Sequence, residues 1–95
     1  MITTKQRAKL RGMANGMDTI LQVGKSGIVE ETVNQTDEAL TARELIKMRV
    51  LETCPITSRE AAQELAAKTN ADIVQVIGSR FVLFRRNPKK PRIAL

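Results

Sequence analysis

Four consecutive residues, Gly24-Lys25-Ser26-Gly27, have the types from which a phosphate-contacting turn is built. Glycine lacks the Cβ that holds a ligand away from backbone amides, lysine supplies charge and serine a hydroxyl. The same four residues also suit a purely steric turn, because GxxG is a short pattern and glycine often closes the step from strand to helix. GKSG is not a Walker A loop, which separates its glycines by four residues and follows them with Lys and Ser/Thr. The remaining chemistry is mostly exclusion. The chain has no histidine and one cysteine, Cys54. An intrachain disulfide, a Cys/His zinc site and any Ser/His or Cys/His catalytic pair are thereby excluded. Cys54 is expected to be a small, half-buried residue at a strand end. The carboxylates gather on an expected solvent-facing helix surface and read as solvation. The chain is therefore expected to be no enzyme, with no cofactor and no metal.

Charge is distributed unevenly along the 95 residues, whose net charge is +6. Lys5, Arg7, Lys9 and Arg11 stand in an N-terminal stretch without acids. Arg80, Arg85, Arg86, Lys89, Lys90 and Arg92 stand in a C-terminal stretch that also has none. All ten acids lie between Asp18 and Asp72. If the ends meet in the fold, they form one basic surface suited to a polyanion; otherwise they are solvated basic tails. The aromatic residues are Phe81 and Phe84 alone, and both are expected in the core. Recognition of RNA would then rest on phosphate, 2′-OH and shape, not on stacked bases. No apolar run approaches the ~18 residues of a membrane span. The opening MITTKQRAKLRGM has no apolar h-region, so a cytoplasmic protein is expected, with a basic transit peptide as the lesser alternative.

These residues must be positioned by an ordinary single domain. Thr3 or Thr4 can cap a first helix to about Asn15, with Gly16 at its C-terminus and an apolar stripe of Leu10, Met13, Ala14 and Met17. Lys5 and Lys9 flank one side of that stripe, Arg7 and Arg11 the other. A strand follows over residues 19–23, ending at the GKSG turn. Residues 28–40 have a 3.6-residue period and form a second helix, whose outer face holds Glu30, Glu31, Asp37 and Glu38. Those acids confine any phosphate contact to the helix tip. Residues 44–51 alternate, with Ile46, Met48 and Val50 on one face and Lys47 and Arg49 on the other. Thr57-Ser58-Arg59-Glu60 is a capping box for a third helix, whose inner face is Ala61, Ala62, Leu65, Ala66 and Thr69. Two strands, 71–77 and 80–85, flank Gly78-Ser79, which fits a type II′ hairpin. Residues 87–95 have no period and are expected to be extended or disordered. The fold class is α/β: a two-layer α-β-α-β-α-β-β domain over 1–87, with a mixed four-stranded sheet and helices mainly on one face, then a basic tail over 88–95.

Four blocks in this order carry a family resemblance: LRGMAN, LQVGKSGI, ELIKMRV and IVQVIGSRFVLFRR. Together they resemble a CRM domain (chloroplast RNA splicing and ribosome maturation) of the free-standing bacterial YhbY type, over about Thr4 to Asn87. The resemblance implies an RNA-binding α/β fold similar to the C-terminal domain of translation initiation factor three. It implies a KH-like role for Gly24, Lys25, Ser26 and Gly27. It implies association with ribosomal RNA in precursors of the large ribosomal subunit. Phe84 departs from the tyrosine expected in the last block.

The favoured expectation is thus a monomeric, non-catalytic RNA-binding protein that assists large-subunit assembly and touches no membrane. Gly24 and Gly27 shape the loop, and Lys25 and Ser26 contact RNA backbone. Lys5, Arg7, Lys9 and Arg11 widen the basic surface, with Lys47, Arg49, Arg85 and Arg86 as further candidates. The alternative is a protein-interaction adaptor that uses the acidic face of the second helix.

Overall fold

The computed structural model describes residues 2–95. Helix α1 (Thr4–Ala14) opens with a full capping box. The Thr3 hydroxyl accepts from the Gln6 amide at 3.1 Å, and the Gln6 side chain accepts from the Thr3 amide at 3.0 Å. Asn15, not Gly16, is the C-cap. Leu10 and Ala14 are buried as the stripe requires, but Met13 is 42% exposed and lies outside it. After β1 (Leu21–Val23), helix α2 (Glu30–Arg43) starts two residues later than its periodicity suggests. Val29 stays extended, and Ile28 packs on the core from outside the helix. With no side-chain acceptor on Val29, the start is held by its carbonyl, which accepts from the Val33 amide at 3.1 Å, and by its amide, which donates to Thr32 Oγ1 at 3.3 Å.

Strand β2 (Leu45–Val50) follows α2 after the single residue Glu44. That abrupt reversal puts Glu44 at φ 64°, an uncommon place for a residue other than Gly, Asn or Asp. Helix α3 (Ser58–Thr69) opens on the Thr57/Glu60 capping box and buries the five expected residues. It ends at Asn70 in the left-handed region, which asparagine tolerates. The hairpin of β3 (Asp72–Ile77) and β4 (Arg80–Phe84) turns at Gly78-Ser79, where Gly78 alone has positive φ, as a type II′ turn requires.

The sheet order is β1-β2-β4-β3, so the last strand is central and β3 is an edge. β1 runs parallel to β2, while β4 is antiparallel to both its neighbours. The run Phe81-Val82-Leu83-Phe84 is buried throughout, as a strand covered on both faces demands. Phe81 and Leu83 join Ile46, Met48, Val50 and Val23 beneath α2 and α3. Val82 and Phe84 join Leu45, Val74, Leu10 and Ala14 beneath α1. Two helices therefore share one face, and α1 lies alone on the other as a partial further layer.

Residues 87–95, expected to be extended or disordered, have no regular structure and bend after Asn87, but they are not loose. Ile93 and Leu95 pack against the cluster under α1, and Lys9 Nζ donates to the Ala94 carbonyl at 2.6 Å. The two basic ends of the chain do meet. Among the described residues, no helix is long and apolar enough to cross a membrane.

Candidate nucleic-acid interface

The sheet face shared with α1 is only half covered. Along β2, Leu45 lies under α1, while Lys47 and Arg49 continue on the same side beyond it. The register sets Arg49 opposite Gln22 of β1 and opposite Arg80 of β4. It sets Val82 between Lys47 and Gln75, and Arg80 beside Ile77 of β3. A shallow cleft of about 140 Å³ runs between this half-face and Asn15 at the end of α1. Lys47, Gln75, Ile77, Arg80, Phe81 and Val82 line it with Asn15. No carboxylate stands among the strand residues of this half-face.

Two arginines directly across an antiparallel pair repel, so Arg49 and Arg80 cost stability unless an anion lies over them. Arg49 Nε is buried and has no hydrogen-bond partner among the described residues. An unsatisfied buried donor is rare and costs stability, which adds to the cost of the repelling pair. Arg80 is a candidate residue that sequence reasoning passed over, although its charge was visible. Only the cross-strand register sets it beside Arg49.

The GKSG turn sits at the same end of the sheet. Leu51 donates to the Val23 carbonyl at 2.9 Å and Val50 to that of Ser79 at 2.7 Å, which gathers three loops there. Gly27 donates its amide to the Gly24 carbonyl at 3.0 Å, leaving Lys25 and Ser26 exposed at the tip. The glycines differ in role. Gly27 is buried at φ 67° against Pro55, and its amide is already used. Gly24 has no positive φ and faces Leu51. The turn is also not a helix tip, contrary to expectation. Ile28 and Val29 intervene, and the first turn of α2 holds Glu30 and Glu31, which occupy the favourable end of its dipole. The groups left open to an anion at this end are the exposed Lys25-Ser26 tip and the cations of the strands beside it.

The other sequence-named cations are divided. Arg7 donates through Nε to the Ile73 carbonyl of edge strand β3 at 3.2 Å, and Arg11, one turn on, is exposed towards the cleft end of α1. Lys5, Lys9 and Arg86 lie at the opposite end of the sheet, near residues 87–95. Arg85 is not available to RNA. Its guanidinium donates to the Asp37 carboxylate at 2.6 Å, the Thr69 carbonyl at 2.8 Å, the Asp37 carbonyl at 3.0 Å and Thr41 Oγ1 at 2.8 Å. It ties β4 to α2 and α3, and it also engages Asp37 of the acidic helix face.

The CRS1 / YhbY (CRM) domain model matches residues 2–85. The chain belongs to the CRM family. A protein of Bacillus subtilis (strain 168) named "Probable RNA-binding protein YqeI" is 38% identical over 95 residues, spanning 100% of this chain and 99% of that protein. A protein of Haemophilus influenzae named "RNA-binding protein" is 31% identical over 84 residues, covering 88% of this chain and 85% of its own. The solution structure of a Staphylococcus aureus protein matches this CRM chain with a TM-score of 0.84 and 41% identity, covering 100% of this chain and 99% of that one. The fold inferred from sequence is thus a CRM fold, with three helices and a mixed four-stranded sheet.

Proposed function

We propose that this CRM protein binds RNA along its phosphate backbone, using the Lys25-Ser26 tip and the uncovered basic half-face of the sheet. The observation that carries the reading is the Arg49–Arg80 pair, with Lys47 on the same side and no carboxylate among the strand residues of that half-face. Phosphate is the ligand that turns this repulsion into attraction. The names of the relatives point to the same ligand class. Phe81 and Phe84 are buried, so no aromatic platform is present and sequence readout by stacking is absent. The protein acts by binding, without a reaction of its own. The family resemblance extends the proposal to a cytoplasmic monomer that engages ribosomal RNA in large-subunit precursors and assists their assembly. The adaptor reading weakens, because Asp37 of the acidic α2 face is held by Arg85.

The test is a salt titration of RNA affinity for the wild type and for Lys25→Ala/Arg80→Ala. Losing two phosphate contacts lowers the slope of log K against log salt by about 1.4, at about 0.7 per contact. Unchanged affinity and slope in a folded variant refute the site. Recovery of pre-50S particles with the tagged wild type, lost in the variant, tests the assembly role.

A further inference from the structure

Glu44 is the most unusual carboxylate of the chain. It is fully buried, holds a positive φ and stands where α2 turns directly into β2. Burial alone raises a carboxyl pKa, yet that of Glu44 is lowered, because the amides of Asn87, Arg92 and Ile93 all donate to it and Arg86 adds its charge. The three bonds measure 2.6, 2.5 and 2.9 Å. A buried charge at a strained backbone is retained only where the surroundings over-determine it. Here the surroundings are a segment of nine residues with no regular structure, and nothing in a solvated tail calls for such an anchor.

The anchor fixes where that segment's cations stand. The Asn87 side chain donates to the Thr41 carbonyl at 3.1 Å, and its Oδ1 accepts from the Lys89 and Lys90 amides at 3.0 and 3.2 Å. Lys9 then holds the Ala94 carbonyl, and Leu95 packs beside Lys5 and Lys9. Arg86 borders both Leu95 and Lys89. Lys5, Lys9, Arg86, Lys89, Lys90 and Arg92 are all exposed. The first turn of α1 holds no acid, while Asp72 borders the same cleft as Arg86 and Leu95 and offsets part of this charge.

We propose that Glu44 is a latch that holds residues 87–95 so that Lys89, Lys90 and Arg92 join Lys5, Lys9 and Arg86 in a second RNA-backbone surface. It lies at the end of the sheet opposite the GKSG turn. Arg80 and Arg86 are six residues apart along and just beyond β4, which is about 20 Å at ~3.3 Å per residue. One domain 36 Å long thus grips an RNA at two separated places. Fixing the segment in advance removes the ordering cost that a loose tail incurs on binding. This inference rests on the proposed function and adds a second contact to it.

The experiment compares an RNA hairpin long enough to reach both surfaces with the wild type, Lys25→Ala, Lys89→Ala/Lys90→Ala/Arg92→Ala, Glu44→Gln, and the last two combined. Neutralising the three cations lowers the salt slope by about 2. Glu44→Gln weakens binding in the same direction, and its effect is lost when the three cations are already gone. In the wild type, the Arg92 and Ile93 amides exchange slowly with solvent. A folded triple variant with an unchanged slope, or fast exchange of both amides, overturns the inference even if Glu44→Gln fails to fold. A wild-type protein that does not bind the hairpin refutes the proposed function itself. Binding that depends on Lys25 but not on the three cations refutes this second surface alone.

Discussion

The two glycines of the GKSG turn look equivalent in sequence and should respond oppositely to alanine. At Gly27 the backbone sits at φ 67°, where an L side chain is strained by about 1–2 kcal/mol. A Cβ there would lie 3.5 Å from Pro55 Cγ, an ordinary contact, so the penalty comes from the backbone and not from a clash. Gly27→Ala should therefore cost about 1 kcal/mol or slightly more, which lowers Tm by about 4–8 °C in a domain of this size. At Gly24 no positive φ is needed, and a Cβ would meet Leu51 Cδ1 at 3.7 Å. Gly24→Ala should be neutral or stabilising by about 0.4–1 kcal/mol, since it restricts the unfolded chain without straining the folded one. Urea denaturation followed by circular dichroism gives both values. Equal losses, or a larger loss at Gly24, would falsify the assignment of Gly27 as the conformationally constrained glycine.

Three further outcomes follow from named contacts. Arg85→Ala should destabilise by about 2–3 kcal/mol, because its charged hydrogen bonds tie three elements together, yet leave the salt slope of RNA binding unchanged; a lower slope would restore Arg85 to the interface. The Glu44 carboxyl is held below its ordinary value of 4.5, so its contribution is complete above that pH and is lost as pH falls through the lower folded value. Wild-type stability should thus fall on acidification by more than that of Glu44→Gln, and parallel pH curves would contradict this. Leu10→Ala should cost about 2–5 kcal/mol and Met13→Ala no more than about 0.5, although both belong to one sequence stripe. Comparable losses by chemical denaturation would mean that Met13 is buried after all.

Much of the fold was legible because its causes are local. The Thr57/Glu60 box starts α3 within four residues, and the 3.6-residue period names all five of its buried side chains. Alternation in β4 assigns Phe81 and Leu83 to one face and Val82 and Phe84 to the other, as observed. The start of α2 was misread because Ile28 and Val29 fit the helical period, although Ile28 packs on the core from outside the helix and Val29 is extended and exposed. Within the candidate site, the exposed Lys25-Ser26 tip was legible, and so was the shared side of Lys47 and Arg49.

By itself the sequence determined the elements, their apolar faces and the charge carried by each segment, since capping and periodicity act over a few residues. Tertiary structure decided which charges are usable. Insertion of β4 between β2 and β3 places Arg80 across from Arg49, and strand order follows from which strand buries both faces, a choice made by the whole core. Arg85 and Glu44 find partners more than forty residues away, so their roles as clamp and anchor are set by packing that no local pattern encodes.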